Sequence, residues 1–114
     1  MKNLFRHVLV FAVLAASIFA QDKKVIETEF KVSGNCNMCK TRIEKSVKIP
    51  EVKYAKWNKA TKLLKVAFEN SITADSLQRR VSEVGHDTEK YKANAETYSD
   101  LPNCCLYREK SKTH

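Results

Sequence analysis

The chain has 114 residues, the length of one ordinary domain, and a formal net charge of +8 at pH 7. Such a charge suits nucleic acid, but the lysines are scattered and lack the interleaved aromatic residues of a nucleic-acid surface. We therefore expect a solvated basic surface and no nucleic-acid partner, with docking to an acidic partner as the alternative.

The first 20 residues have the layout of a secretory signal peptide. A basic start precedes an apolar run over residues 8–19, and cleavage is expected between Ala20 and Gln21. The run is shorter than the roughly 20 apolar residues that a membrane-spanning helix needs. We therefore expect no stable membrane insertion after signal removal, and a mature protein that is periplasmic or secreted.

The next two predicted elements are a strand and a helix. Residues 25–32 alternate as in a half-buried strand. The residues expected on its inner face are Ile26, Thr28, Phe30 and Val32. Farther on, Cys39, Ile43 and Val47 recur with the spacing of one helical face, so a helix is expected to bury that face and to end at Pro50.

A hairpin is expected next. Residues 52–57 predict a second strand, and residues 58–61 a polar turn. The favoured inward residues of the second strand are Ala55 and Trp57, and the alternative set is Val52 and Tyr54. The third strand alternates through Leu64, Val66 and Phe68.

A second helix and a weaker, edge-like strand would complete the domain. Thr73 is the expected N-cap of the helix and Gly85 its stop. Its apolar face comprises Leu77, Val81 and Val84. Residues 86–92 are the expected fourth strand. The resulting order βαββαβ predicts an α+β, ferredoxin-like fold, with two helices on one face of a four-stranded antiparallel sheet.

The chemistry is expected at Cys36 and Cys39. Cys36 would lie on the loop and Cys39 in the first helical turn, where unpaired N–H groups and partial positive charge favour thiolates. Gly34 is expected to turn the chain through backbone angles that other residues avoid. Lys40 is expected to add a positive charge beside the pair. Since thiolates bind soft metals and also attack disulfides, this motif is a metal clip or a redox dithiol.

Together these features resemble the heavy-metal-associated (HMA) domain family, which includes small copper chaperones and the metal-binding modules of metal-exporting ATPases. The likeness covers residues 25–92 and rests on the placing of the two cysteines, the βαββαβ order and the Gly-His-Asp turn at 85–87. The family usually has Gly-Met-x-Cys-x-x-Cys. Here the segment 34–39 reads Gly-Asn-Cys-Asn-Met-Cys, with one residue fewer before the first cysteine and no methionine at the usual loop position.

The chain is thus expected to have three segments: a signal peptide at 1–20, a domain at 21–93 that resembles the HMA family, and a tail at 94–114 that carries a cysteine pair. The resemblance also implies that Cys36 and Cys39 are metal ligands in a soft-metal carrier or scavenger that is not an enzyme. A metal-exporting membrane protein or another metal carrier is the implied partner.

Copper(I) is the favoured metal, because two thiolates make a linear site for a soft monovalent ion. Ag(I) or Hg(II) would fit the same two sulfurs, whereas Zn(II) prefers four ligands. An exposed two-coordinate site leaves room for a partner's thiolate, so the metal can pass by ligand exchange. The alternative functions are a periplasmic dithiol-disulfide module and a disulfide-stapled interaction domain.

Three further residues are candidates for the site. His86 is expected at the cysteine-loop end of the sheet, either as a third ligand or neighbour of the ligands, or as an ordinary exposed histidine. Cys104 and Cys105 lie in the tail, which is long enough to cross a domain about 30 Å wide. Our hypothesis is that the tail folds back and brings them to Cys36 and Cys39. The alternatives are a separate vicinal disulfide and pairing with another chain.

Overall fold

The computed structural model describes residues 23–109, so the predicted signal peptide lies outside the described residues. The elements are β1 (Val25–Lys31), α1 (Asn37–Ser46), β2 (Val52–Trp57), β3 (Leu63–Glu69), α2 (Ala74–Glu83), α3 (Ala95–Ser99) and a short 3-10 helix (Asn103–Cys105). None of the helices within residues 23–109 is both long and apolar enough to cross a lipid bilayer.

The sheet is antiparallel, with the strand order β1-β3-β2. It has three strands, so the prediction of four strands is wrong. The segment predicted as the fourth strand keeps only one isolated antiparallel bridge, between Val32 and Thr88. This bridge lies beside β1, where the fourth strand of a ferredoxin-like sheet would have paired.

Side chains replace the missing strand as hydrogen-bond partners. The Glu89 carboxylate accepts the Lys31 N–H of β1 at 2.8 Å, and the Asp87 carboxylate accepts the Ala93 N–H at 2.8 Å. The Thr88 hydroxyl accepts the Tyr91 N–H at 3.0 Å. Local side-chain acceptors of this kind compete with a strand ladder, so a polar segment can satisfy the backbone here without a fourth strand.

The core lies between the inner face of the sheet and the two longer helices. The predicted helical stripe is confirmed, since Cys39, Ile43 and Val47 are all fully buried. α1 nevertheless ends at Ser46, before Pro50, and the chain that follows it packs Ile49 against the core. The other core residues of the sheet and α2 are Phe30, Val32, Trp57, Leu64, Val66, Phe68, Leu77 and Val81.

The predicted cap of α2 and the predicted inward position of Trp57 are confirmed, and one further residue of β2 also contacts the core. The Thr73 hydroxyl caps α2 by accepting the Ser76 N–H at 3.1 Å. Trp57 is buried, as favoured for β2, while Tyr54 is exposed. Val52 also packs against the core, because an irregularity in the β2-β3 register between residues 52 and 54 changes the alternation.

The tail packs onto the domain. Its buried residues are Tyr98, Leu101, Cys105 and Leu106. The Tyr107 hydroxyl donates to the Gly85 carbonyl at 2.7 Å and accepts the Asp87 N–H at 2.8 Å. Arg108 forms an ion pair with Asp87. The tail is therefore anchored to the turn that follows α2.

Candidate metal centre

Cys36 is the N-cap of α1. Its Sγ accepts the Cys39 N–H at 3.3 Å, so a sulfur performs the capping that an oxygen usually performs. This geometry places Cys36 at the loop end and Cys39 in the first helical turn, as predicted. The two Sγ atoms are 3.0 Å apart. The positive end of the helix lies beside both sulfurs and favours their thiolate forms.

Gly34 shapes the loop through its missing side chain. The expectation that Gly34 adopts an unusual backbone angle is wrong, since Gly85 is the glycine with positive φ among the described residues. A Cβ atom at position 34 would lie 3.0 Å from two ring atoms of Trp57 and 3.1 Å from the Cβ of Cys39. The Trp57 indole is itself fixed, because its Nε1 donates to the Val32 carbonyl at 3.0 Å. Gly34 therefore allows the loop to pass directly over Trp57.

Cys104 and Cys105 lie against Cys36, which confirms the predicted return of the tail. The Cys36 Sγ is 3.1 Å from that of Cys105 and 3.6 Å from that of Cys104. The sulfurs of these three residues all lie within 4.8 Å of one another. All four cysteines are free thiols. We call Cys36, Cys39, Cys104 and Cys105 the sulfur cluster.

Two neighbours of the cluster were not predicted. The Cys104 thiol donates to the Met38 Sδ at 3.5 Å, and the Met38 side chain is 52% exposed. The Cys39 thiol donates to the Asn35 Oδ1 at 3.3 Å. Both residues flank the cysteines in sequence, and the soft thioether of Met38 was the available signal.

The cation at the cluster is Arg42, and the prediction for Lys40 is wrong. The Arg42 Nη1 donates to the Cys105 Sγ at 3.3 Å. The Lys40 ammonium instead pairs with the Glu44 carboxylate and donates to the Trp57 carbonyl at 2.9 Å. Arg42 lies one helical turn after Cys39, where a helix brings side chains together.

The four thiols differ in acidity. Burial opposes ionisation of Cys36, but hydrogen bonds from Cys39 and Cys105 outweigh it and lower the Cys36 pKa to about 7. Burial raises the pKa of Cys39 and raises that of Cys105 to about 12. The hydrogen bond to Cys36 raises the Cys104 pKa to about 11. Cys36 is therefore the first thiolate of the cluster, and its neighbours act as donors to it.

His86 is fully buried, so the interpretation as an exposed histidine is wrong. Burial lowers its pKa to about 4, although the hydrogen bond to Ser33 works in the opposite direction. The neutral ring donates its Nδ1–H to the Ser33 carbonyl at 2.8 Å and stacks on Tyr107 with centroids 5.5 Å apart. Its position at the cysteine-loop end is as predicted. Through these contacts His86 joins the loop to the tail.

This chain is similar in fold to several solved structures. No protein-family model matches the chain, and no curated protein sequence matches it. Among solved structures, a CopZ metallochaperone has 21% sequence identity and a TM-score of 0.53, and the match covers 55% of this chain and 98% of that chain. At this level of identity the match shows a shared fold.

Two structures from Bacillus subtilis are more similar in sequence. The water-soluble region of the P-type ATPase CopA is 30% identical with a TM-score of 0.54, and the match covers 60% of this chain and 47% of that chain. The N-terminal domain of a potential copper-translocating P-type ATPase, in its Cu(I)-loaded state, is 28% identical with a TM-score of 0.53. That match covers 57% of this chain and 85% of the other.

Proposed function

Because the chain contains a heavy-metal-associated domain of the copper-chaperone type, we propose that it is an exported copper(I) carrier or scavenger. The observation that carries the proposal is the sulfur cluster, in which Cys36 and Cys39 lie 3.0 Å apart at the start of a helix. Soft thiolate ligands select copper(I). The similarity to a Cu(I)-loaded domain at 28% identity supports the same metal.

The proposed mode of action is ligand exchange between thiolates. Cys36 and Cys104 are half-buried, whereas Cys39 and Cys105 are buried. A partner's thiolate would approach from the half-buried side and form a new copper–sulfur bond as one to this chain breaks. The proposed partner is a metal-exporting membrane protein or another metal carrier, and the basic surface suits an acidic docking face. Export is proposed from the signal-peptide pattern at 1–20.

A double substitution, Cys36→Ser with Cys39→Ser, tests the proposal. We expect the affinity for the most tightly bound copper(I) ion to fall by more than about 100-fold, since losing groups that merely orient metal ligands already costs about 10–100-fold. The affinity is measured by anaerobic competition with the copper(I) chelator bicinchoninate. Circular dichroism establishes that the variant is folded, and a Ser46→Ala variant is the control remote from sulfur. A folded double variant with unchanged affinity would contradict the proposal.

A dithiol-disulfide module is the second candidate, and one observation favours it. Cys36, with a pKa lowered to about 7, lies within 3.6 Å of three other sulfurs, and such a thiolate is suited to attack disulfides. Thiol oxidation by glutathione disulfide measures this activity. Oxidation much faster than that of an ordinary protein thiol, together with weak copper(I) binding, would favour the dithiol module.

A further inference from the structure

The sulfur atoms extend from the protein interior to its surface. Cys39 and Cys105 are fully buried, Cys36 and Cys104 are half-buried, and Met38 is 52% exposed. Cys36 contacts each of the other three cysteine sulfurs. Cys104 contacts Cys105 at 3.8 Å and Met38 at 3.5 Å. One group of ligands therefore lies at the helix start, and a second lies where the tail meets Met38.

The number of donors exceeds the need of one ion. Two thiolates satisfy a linear copper(I) site, and the cluster holds twice that number. The second pair, Cys104 and Cys105, has the Met38 thioether beside it, and a thioether is a soft donor without charge. This pair thus has both the chemistry and the neighbours of a copper(I) site in its own right.

Charge also favours a second ion. One copper(I) on two thiolates has a net charge of −1, which attracts a second cation to an adjacent dithiol. The ions bind the thiolate forms, so each cysteine that is still protonated releases its proton to solvent, and two ions on four thiolates have a net charge of −2. Arg42 offsets part of this charge, because its guanidinium donates to the Cys105 sulfur at 3.3 Å.

We propose that each chain binds two copper(I) ions, one on Cys36 and Cys39 and the other on Cys104, Cys105 and the Met38 thioether. The Cys36 thiolate lies 3.1–3.6 Å from the second pair and can bridge the two ions. Met38 is the outermost ligand and gives the second ion its access to solvent. This inference rests on the proposed function and extends it to a two-ion site.

Native mass spectrometry under anaerobic conditions tests the number of ions. We expect two copper(I) ions per monomeric chain in the parent protein and one in the Cys104→Ser, Cys105→Ser variant. An Asn103→Ser variant is the matched control in the same 3-10 helix and should keep two ions. Cys104→Ser alone serves as a second variant, because Cys104 is only half-buried and its substitution leaves the core intact.

The part that Met38 plays is tested separately with Met38→Leu, which keeps the size of the side chain and removes the sulfur. We expect the second copper(I) affinity to fall by about tenfold and the first to stay unchanged. Selenomethionine labelling supplies a direct readout, since the chain has two methionines, Met1 and Met38. X-ray absorption at the selenium edge should show a copper–selenium contact in the parent protein that is missing in Met38→Leu.

The outcomes separate this inference from the proposed function. One ion per parent chain would overturn the two-ion site and leave the copper(I) carrier intact, whereas no tight binding would overturn both. Two ions bound only in a dimer would also overturn the inference, because the second site would then lie between chains. An unchanged second affinity in Met38→Leu, without a copper–selenium contact in the parent, would remove Met38 from the site.

Discussion

Arg42 and Lys40 lie two positions apart on α1 and have different surroundings. Arg42 donates to the sulfur of Cys105, whereas Lys40 is held by Glu44 and by the carbonyl of Trp57. Proximity in sequence to Cys39 therefore does not decide which cation serves the cluster. The direction in which each side chain points from the helix decides which cation contacts the sulfur cluster.

We predict that Arg42→Gln weakens binding of the copper(I) ion held by Cys105 by about tenfold. A hydrogen bond to a charged sulfur contributes about 1.5–3 kcal/mol, and glutamine keeps only a neutral donor. Lys40→Gln is the matched control, since it removes the same charge from the same helix, and its affinity should stay within about twofold. Chelator competition at fixed ionic strength measures both. Equal losses in the two variants would mean that only overall charge matters.

The lowered pKa of His86 predicts how the free energy of unfolding depends on pH. Its folded-state pKa of about 4 lies below the ordinary 6.5, so between these values the unfolded chain takes up a proton that the folded chain does not. Stability is therefore fully present above pH 6.5 and falls as the pH drops towards 4, by up to about 3 kcal/mol. The charged groups that act on the ring are Arg42, which opposes its protonation, and Asp87, which favours it.

Urea denaturation of the metal-free protein at pH 7 and pH 4.5 measures this loss. His86→Asn should show a smaller loss over the same interval, because asparagine can still donate to the Ser33 carbonyl but does not titrate there. Its stability at pH 7 should be lower than that of the parent, since the stacking on Tyr107 is removed. Parallel pH profiles of the two proteins would show that His86 is not the responsible group.

At the scale of elements, the tail depends on the turn after α2. Gly85 has φ of 105°, a region that favours glycine, and a Cβ atom there would lie 2.9 Å from Leu101. The same glycine is thus required twice, once to end the helix and once to admit the tail. Tyr107 completes the junction by bonding the carbonyl of Gly85 and the N–H of Asp87.

We predict that Tyr107→Phe lowers the free energy of unfolding by about 1–3 kcal/mol, since it leaves two backbone groups without their partner. The matched control is Tyr91→Phe, which removes a hydroxyl bonded to the Asp75 carboxylate, a side chain that is 40% exposed, and should cost less. Urea denaturation measures both values. A loss in Tyr91→Phe as large as that in Tyr107→Phe would contradict the role given to the tail junction.

At the scale of the whole molecule, local patterns predicted the elements that bury apolar side chains. The stripe Cys39, Ile43 and Val47, the Thr73 cap and the hairpin strands β2 and β3 all follow from periodicity or capping chemistry. The fourth strand does not form because residues 87–92 are mostly polar, and the side chains of Asp87 and Glu89 bond to the backbone instead of extending a ladder. Alternation alone could not distinguish these two outcomes.

The site could be predicted in part. Cys36 and Cys39 were expected together from their spacing, and the return of Cys104 and Cys105 was a hypothesis based on the reach of the tail. The partners around them could not be predicted from local patterns, because each contact depends on tertiary packing. Arg42 meets Cys105 across 63 positions, and Met38 meets Cys104 across 66.

The return of the tail also determines the order in which the two cysteine pairs become available. Cys36 and Cys104 are 68 positions apart, so a chain that emerges N-terminus first presents one dithiol long before the other. An incomplete chain holds only the first pair and lacks the residues that cover it. The four sulfurs can therefore come together only after residues 101–107 have been synthesised and have packed onto the turn at Gly85.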